Sequence, residues 1–229
     1  TAGGIYASNQ WGMNISNNTM TSGTQSANLY GVRTIGGGGA SIDINNNDVT
    51  LTSNGTTATV FGFDNAIGAA NSGNTVNINN NKIAGTYTTS SSGGFYGIYN
   101  RAGASNFNAN GNQIRNITHT STAGGVCAMI WNAAITPNVS NLNANNNNIN
   151  NVSISSSTTT NTPGIYTVAI GSSASISGNS ITSFTRNHNA AAIALATVDI
   201  INIQASGTAS LSVNNNSIQN NTVNVSTTT

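Results

Sequence analysis

The sequence predicts an all-β solenoid made of a repeated coil, on three observations. Asn, Ser, Thr and Gly supply 127 of the 229 residues (43 Asn, 28 Ser, 31 Thr, 25 Gly). Charged residues are only 4% of the chain and Pro occurs twice, yet 37% is hydrophobic. An eight-residue frame recurs seven times at a mean spacing of about 33 residues, and a fixed period in this range marks stacked repeats.

The competing classes fail on the same observations. A polar, biased chain is often disordered because it cannot bury enough apolar surface to offset chain entropy. Here the scarcity of Pro and charge, and the regular spacing of Ile, Val, Leu and aromatic residues, argue against disorder. Asn, Ser, Thr and Gly are poor helix formers, which excludes a helical bundle. Prion-like Asn-rich tracts lack evenly spaced apolar anchors.

The frame reads apolar, polar, apolar, polar, Asn or Gly, Asn, polar, apolar. Its copies are 13–20, 42–49, 76–83, 107–114, 142–149, 174–181 and 211–218. Positions one and three alternate with polar residues, so a short strand places them on one buried face. Position five is Asn in five copies and Gly in two (Gly111, Gly178). These residue types enter left-handed backbone most cheaply, so the chain turns there. Position eight is always apolar (Met20, Val49, Ile83, Ile114, Ile149, Ile181, Ile218) and starts a third short strand. A second phrase supplies the other strand of each coil: Gly4-Ile5-Tyr6, Gly31-Val32-Arg33, Gly62-Phe63-Asp64, Gly97-Ile98-Tyr99, Gly125-Val126-Cys127, Gly164-Ile165-Tyr166 and Ala192-Ile193-Ala194. Loops of varying length between the strands account for spacings that range from 29 to 37.

Position six is Asn in every copy: Asn18, Asn47, Asn81, Asn112, Asn147, Asn179 and Asn216. Coils stacked at about 4.8 Å bring identical amides within hydrogen-bonding reach, so these residues are expected to form an axial ladder. The same alignment sets Asp48 beside Lys82 and Arg33 beside Asp64, two inter-coil charge pairs that would help hold the register.

The phrases GIY and NNN followed by an apolar residue run through essentially the whole chain. On them the sequence resembles the parallel β-helix repeats of pectate-lyase-like proteins and of large secreted or surface proteins of bacteria. The resemblance implies a right-handed parallel β-helix, and the crossover rule favours the same hand; the seven frames make it about seven coils, with uncapped ends expected from the terminal repeats. It implies little about activity.

The chemistry-bearing residues point away from catalysis, and no catalytic residue, metal ligand or cofactor is assigned. There is no Glu, and Asp43, Asp48, Asp64 and Asp199 align singly, without the paired carboxylates that polysaccharide cleavage needs. His119 and His188 fall in Thr-rich and Asn-rich stretches without metal-ligand spacing and read as exposed loop histidines. Lone Cys127 reads as a small buried hydrophobe. Tyr6, Tyr99 and Tyr166 follow the Gly-Ile step, but Arg33, Asp64, Cys127 and Ala194 at equivalent places predict no continuous aromatic strip. Sequons at Asn14, Asn54, Asn116, Asn138, Asn151 and Asn224 are what this composition generates by chance. No Thr-x-Thr array recurs in every coil, as an ice-binding face would require.

Five scattered basic residues (Arg33, Lys82, Arg101, Arg115, Arg186) make no footprint for nucleic acid or an anionic membrane. No apolar run is long enough to span a bilayer. The chain opens on Thr1, so a processed product or an excerpt is expected. Neither end carries a cap. From Asn216 through Thr229 and on to Gly4 of a following copy is 17 residues, as is Asn147 to Gly164. The expectation is a single solenoid segment over 1–229, one unit of an extracellular or cell-surface filament or stalk. Its partners would be copies of itself stacked head to tail, as subunits or tandem units. The alternatives are a glycan-binding adhesin shaft and, behind it, a polysaccharide-degrading enzyme.

Overall fold

The structure, a computed structural model, describes residues 2–55, 57–69, 71–89, 93–121, 125–134, 138–156, 163–188, 199–205 and 209–225. Alternation of apolar and polar residues gives strands, and the left-handed asparagines and glycines bend them into coils. The first coil comprises β1 (Ala2–Ser8), β2 (Gly12–Ser16) and β3 (Thr19–Gln25). The second has β4 (Leu29–Ile35), β5 (Ser41–Asn45) and β6 (Asp48–Ser53); the third has β7 (Val60–Ala66), β8 (Thr75–Asn79) and β9 (Lys82–Thr89). The fourth has β10 (Phe95–Asn100), β11 (Ala104–Asn108) and β12 (Gln113–Ser121); the fifth has β13 (Cys127–Asn132), β14 (Val139–Asn143) and β15 (Asn148–Ser156).

These five coils are three separate strands each, and two altered ones follow. In the sixth, β16 (Ile165–Ser177) runs unbroken through two sides before β17 (Ser180–His188). In the last, β18 (Ile201–Ala205) and β19 (Ser210–Asn214) precede a third side split into β20 (Ser217–Gln219) and β21 (Thr222–Val225).

Each strand pairs in parallel with its equivalents one coil away, which makes three faces and an all-β parallel solenoid. No helix occurs among the described residues. The first face runs β1-β4-β7-β10-β13-β16, the second returns through β14-β11-β8-β5-β2, and the third runs β3 to β20. Frame positions one, three and eight fill the interior: Ile42, Ile44, Val49, Val76, Ile78, Ile83, Phe107, Ile114, Ile149, Ile176 and Ile181 are all at most 1% exposed. The turn expected at position five is left-handed in every copy, with φ from 54° to 68° at Asn17, Asn46, Asn80, Gly111, Asn146, Gly178 and Asn215.

Two features depart from the expected pattern. The third strand is long, nine residues in β12, β15 and β17, because a left-handed residue at the same place in each (Asn116, Asn151, Ser183) takes up the bend without breaking the pairing between them. In the fifth coil the partner of Ile98 is Ile130, and Trp131 lies beside Tyr99; Cys127 pairs with Phe95 instead. Gly125-Val126-Cys127 is therefore not the equivalent of Gly97-Ile98-Tyr99. The observed register places Asn132 against Asn100, whereas the expected one would leave that buried amide facing Ala128. Ala192-Ile193-Ala194 lies outside the described residues, and Ile201 pairs with Ile165.

The glycine of the Gly-Ile-Tyr phrase has a steric cause. A Cβ on Gly31 would stand 2.5 Å from the Gly62 carbonyl oxygen and 2.6 Å from Val49 Cγ1. There the first face bends over the position-eight side chain of the third.

Candidate functional site

The seven frame asparagines stand in line along the solenoid axis. Nδ2 of each donates to Oδ1 of the next: Asn18 to Asn47 at 2.9 Å, Asn47 to Asn81 at 3.0 Å and Asn81 to Asn112 at 3.2 Å. Asn112 to Asn147 follows at 3.1 Å, then Asn147 to Asn179 and Asn179 to Asn216, both at 2.9 Å. The backbone N–H of each donor residue reaches the same oxygen at 2.9–3.1 Å.

The remaining amide hydrogen points back one coil. Asn47 donates to Ile15 O, Asn81 to Ile44 O, Asn112 to Ile78 O, Asn147 to Ala109 O, Asn179 to Ala144 O and Asn216 to Ile176 O, at 2.8–2.9 Å. An interior ladder asparagine thus uses both donors and accepts two bonds, bridging three coils. The left-handed residue at position five turns position six inward, where only a fully satisfied amide can be buried at low cost.

The ladder has a direction. Among the described residues nothing donates to Asn18 Oδ1, and neither the backbone N–H of Asn216 nor its second amide hydrogen has an acceptor. One end therefore offers an acceptor and the other offers donors.

A second buried ladder escaped the sequence reading. Thr34 Oγ1 donates to Asn65 Oδ1 at 2.6 Å, Asn65 to Asn100 at 2.7 Å, Asn100 to Asn132 at 2.8 Å and Asn132 to Thr167 Oγ1 at 3.2 Å. Its signal, a polar residue directly after the phrase in the second, third, fourth and sixth coils (Thr34, Asn65, Asn100, Thr167), is broken by Ala7 in the first coil and by the expected register of the fifth.

The same register changes the outer surface of the first face. Arg33, Asp64, Tyr99, Trp131 and Tyr166 form one outward row. Trp131 lies 5.6 Å from Tyr99 and 5.2 Å from Tyr166 between ring centroids. Beside this row Tyr30, Phe61 and Tyr96 stack at 4.9 and 5.0 Å, and Tyr96 stands 4.7 Å from Tyr99. A continuous aromatic ridge therefore exists where none was expected. Burial raises the pKa of Tyr96 and Tyr99, so both rings stay neutral hydroxyl donors at ordinary pH.

The expected Arg33–Asp64 pair is present, Nε to Oδ2 at 3.3 Å. Arg101, which the sequence reading left unassigned, holds the same carboxylate bidentately at 2.7 and 2.8 Å. This hydrogen bonding raises the Arg101 pKa further above its already basic value. The Asp64 side chain is 1% exposed, so the carboxylate is enclosed by its two guanidinium partners. Asp48 and Lys82 face each other in register, yet no ion contact within 4.0 Å joins them. Lys82 is exposed, and a solvated lysine gains little from such a pair.

Both histidines are buried on strands rather than exposed in loops, His119 at 0% and His188 at 3%. Inward rows of the long third strand carry them there, a consequence of its unforeseen length. His119 Nε2 lies 3.1 Å from the Gly93 carbonyl oxygen. Burial lowers its pKa against the opposing pull of that carbonyl, and the Arg186 charge lowers it further. Cys127 is buried, and desolvation pushes its thiol up to about 12. Among the described residues no group of three His, Cys, Asp or Glu side chains is placed to hold a metal ion.

Compared with known proteins, the chain matches no family model, and neither a curated protein nor a solved structure matches it significantly.

Proposed function

We propose that the chain is a segment of a structural extracellular filament or stalk in which coils continue head to tail, as separate subunits or as tandem units. The observation that carries this reading is the polarity of the asparagine ladder. The open acceptor on Asn18 and the open donors on Asn216 are the two halves of the bond that recurs between every pair of coils. A heterologous contact of this kind does not close on itself and builds fibres. A chain with only 4% charged residues, rich in Asn, Ser and Thr, suits a shaft outside the cell.

The test is sedimentation and negative-stain imaging of the 229-residue chain over a wide concentration range. Rods that lengthen in steps of about 34 Å, seven coils at about 4.8 Å, are expected. Monodisperse single particles at every concentration would overturn the reading.

A glycan-binding shaft is the second reading, favoured by the ridge of Tyr99, Trp131 and Tyr166. It predicts that oligosaccharides change the Trp fluorescence of the wild type and leave that of Trp131→Ala unaltered. Polysaccharide cleavage has the least support. Asp64 is enclosed by two arginines on the first face, and Asp43 accepts the Asn77 amide on the second, so these carboxylates do not converge.

A further inference from the structure

The outer side of the third face carries a column of hydroxyls that runs through every coil. Thr52, Thr86, Thr118, Ser153 and Thr185 occupy one place in the second to sixth coils, each paired in register with the next. Thr24 and Thr222 continue the column into the first and last coils. Each of the five interior members stands exposed or half-exposed between two buried residues of its own strand, as Thr118 does between Ile117 and His119. The column therefore points outward, and it does not depend on either end of the chain. A second column lies one outward place further along the strand, where Thr120, Ser155, Asn187 and Asn224 pair in register. Coils stand about 4.8 Å apart and two residues of a strand advance about 6.6 Å, so the two columns make a regular grid.

The sequence hides the column because the bend residue changes the phase. Thr86 follows the position-eight Ile83 by three places, whereas Thr118 follows Ile114 by four, Asn116 adding a residue at the bend. At this place Thr-x-Thr is found in only two coils, 86–88 and 118–120, yet its first residue is a hydroxyl in all seven.

The outward groups of the second face saturate one another. Asn77 donates to Asp43 at 2.7 Å, Asn108 to Asn77 at 2.7 Å, Asn143 to Asn108 at 2.8 Å and Ser173 to Asn141 at 2.8 Å. On the third face none of the seven column hydroxyls bonds to another group of the protein among the described residues. Each keeps a donor and two acceptor positions for water. Threonine is stiff about its first side-chain torsion, so hydroxyl and methyl are held in place before anything binds. Water on this surface is thus anchored at the repeat of the coils. Neither column includes a charged residue, which removes the attraction a charged mineral or polyelectrolyte would need. A small soluble ligand would find no convergent groups here; only a partner that itself repeats can use the whole column.

We infer that the outer third face binds ice. Its hydroxyls and methyls repeat at a spacing close to that of the oxygen atoms on a prism face of hexagonal ice, so the water they anchor can join the lattice. The function is separate from head-to-tail stacking, since the column lies along the side of the solenoid and is complete in a single copy.

The test measures thermal hysteresis and ice-crystal shape in solutions of the 229-residue chain, together with its partition into slowly grown ice. The wild type should show a hysteresis gap, faceted crystals and enrichment in the ice. The double variant Thr118→Lys, Ser153→Lys sets two charges in the middle of the column and should fall to the level of buffer. Ser180→Lys puts the same charge on the same face across the bend, at a side chain with no hydrogen bond among the described residues, and should match the wild type. A wild type without hysteresis or enrichment would overturn the inference. So would a double variant as active as the wild type, or a Ser180→Lys variant as inactive as the double one. Retention on powdered cellulose or chitin without enrichment in ice would assign the column to a polysaccharide crystal instead and equally overturn it. Should the double variant lose the β-sheet circular dichroism of the wild type, Thr118→Tyr, uncharged and at home in an exposed strand, is judged by the same outcomes.

Discussion

At the residue scale, the cost of burying an amide is offset only when every hydrogen-bonding position is used, and the ladder makes that visible. Asn112 accepts from the backbone and side chain of Asn81 and donates to Asn147 and to the Ile78 carbonyl. Asn112→Ala strands these partners inside the solenoid. A loss of about 3–4 kcal/mol in urea-induced unfolding is expected, and a change below about 1 kcal/mol would show that the ladder is incidental. His119 supplies a pH test. Its folded pKa lies below the unfolded value, so the unfolded chain takes up a proton first as the pH falls. Stability should be full above about pH 6.5 and decline below it, toward the lowered folded pKa. In His119→Phe, which keeps a ring in the buried site, this component of the unfolding free energy against pH should vanish. A decline of unchanged size would assign it to other groups.

At the scale of the element, the left-handed turn decides where strands stop and the left-handed bend where the third one changes direction. Asn80 sits at φ 56°, and alanine there pays the left-handed penalty that glycine avoids. Asn80→Ala should therefore cost about 1–2 kcal/mol, with Asn80→Gly close to wild type; equal melting temperatures for the two variants would refute this account of the turn. The strands of the frame were legible because period-two alternation and the left-handed residue point to the same boundary. The length of the third strand was not, since the residues that bend it, Asn116 and Ser183, look like any others in a chain so rich in Asn and Ser. For the same reason His119 and His188 were read as loop residues. Pairing across coils is what determines which side of a long strand they occupy.

At the scale of the whole molecule, each strand pairs only with its equivalents in the neighbouring coils, so protection should follow position along the axis. Amide exchange is expected to be slowest in β8, β11 and β14 and fastest in β1 to β3 and β18 to β21, where the coils have a neighbour on one side. On assembly the end strands should slow toward the central rate. A profile indifferent to position would contradict a one-dimensional stack. Candidate sites divide along the same line. The Arg33–Asp64 pair was legible because both residues occupy one place in the frame, whereas Arg101 reaches Asp64 from the corner beyond it.

By itself the sequence determined the coil, its three sides, its inward rows and the amide ladder, because these depend on residue type repeated at one phase. The tertiary structure alone decided the register of the fifth coil, and with it the second ladder and the aromatic ridge. Two apolar phrases, Val126 and Ile130, compete for one place opposite Ile98. The winner is the one that lets Asn132 satisfy the buried amide of Asn100, a bond between residues 32 apart that no local pattern encodes.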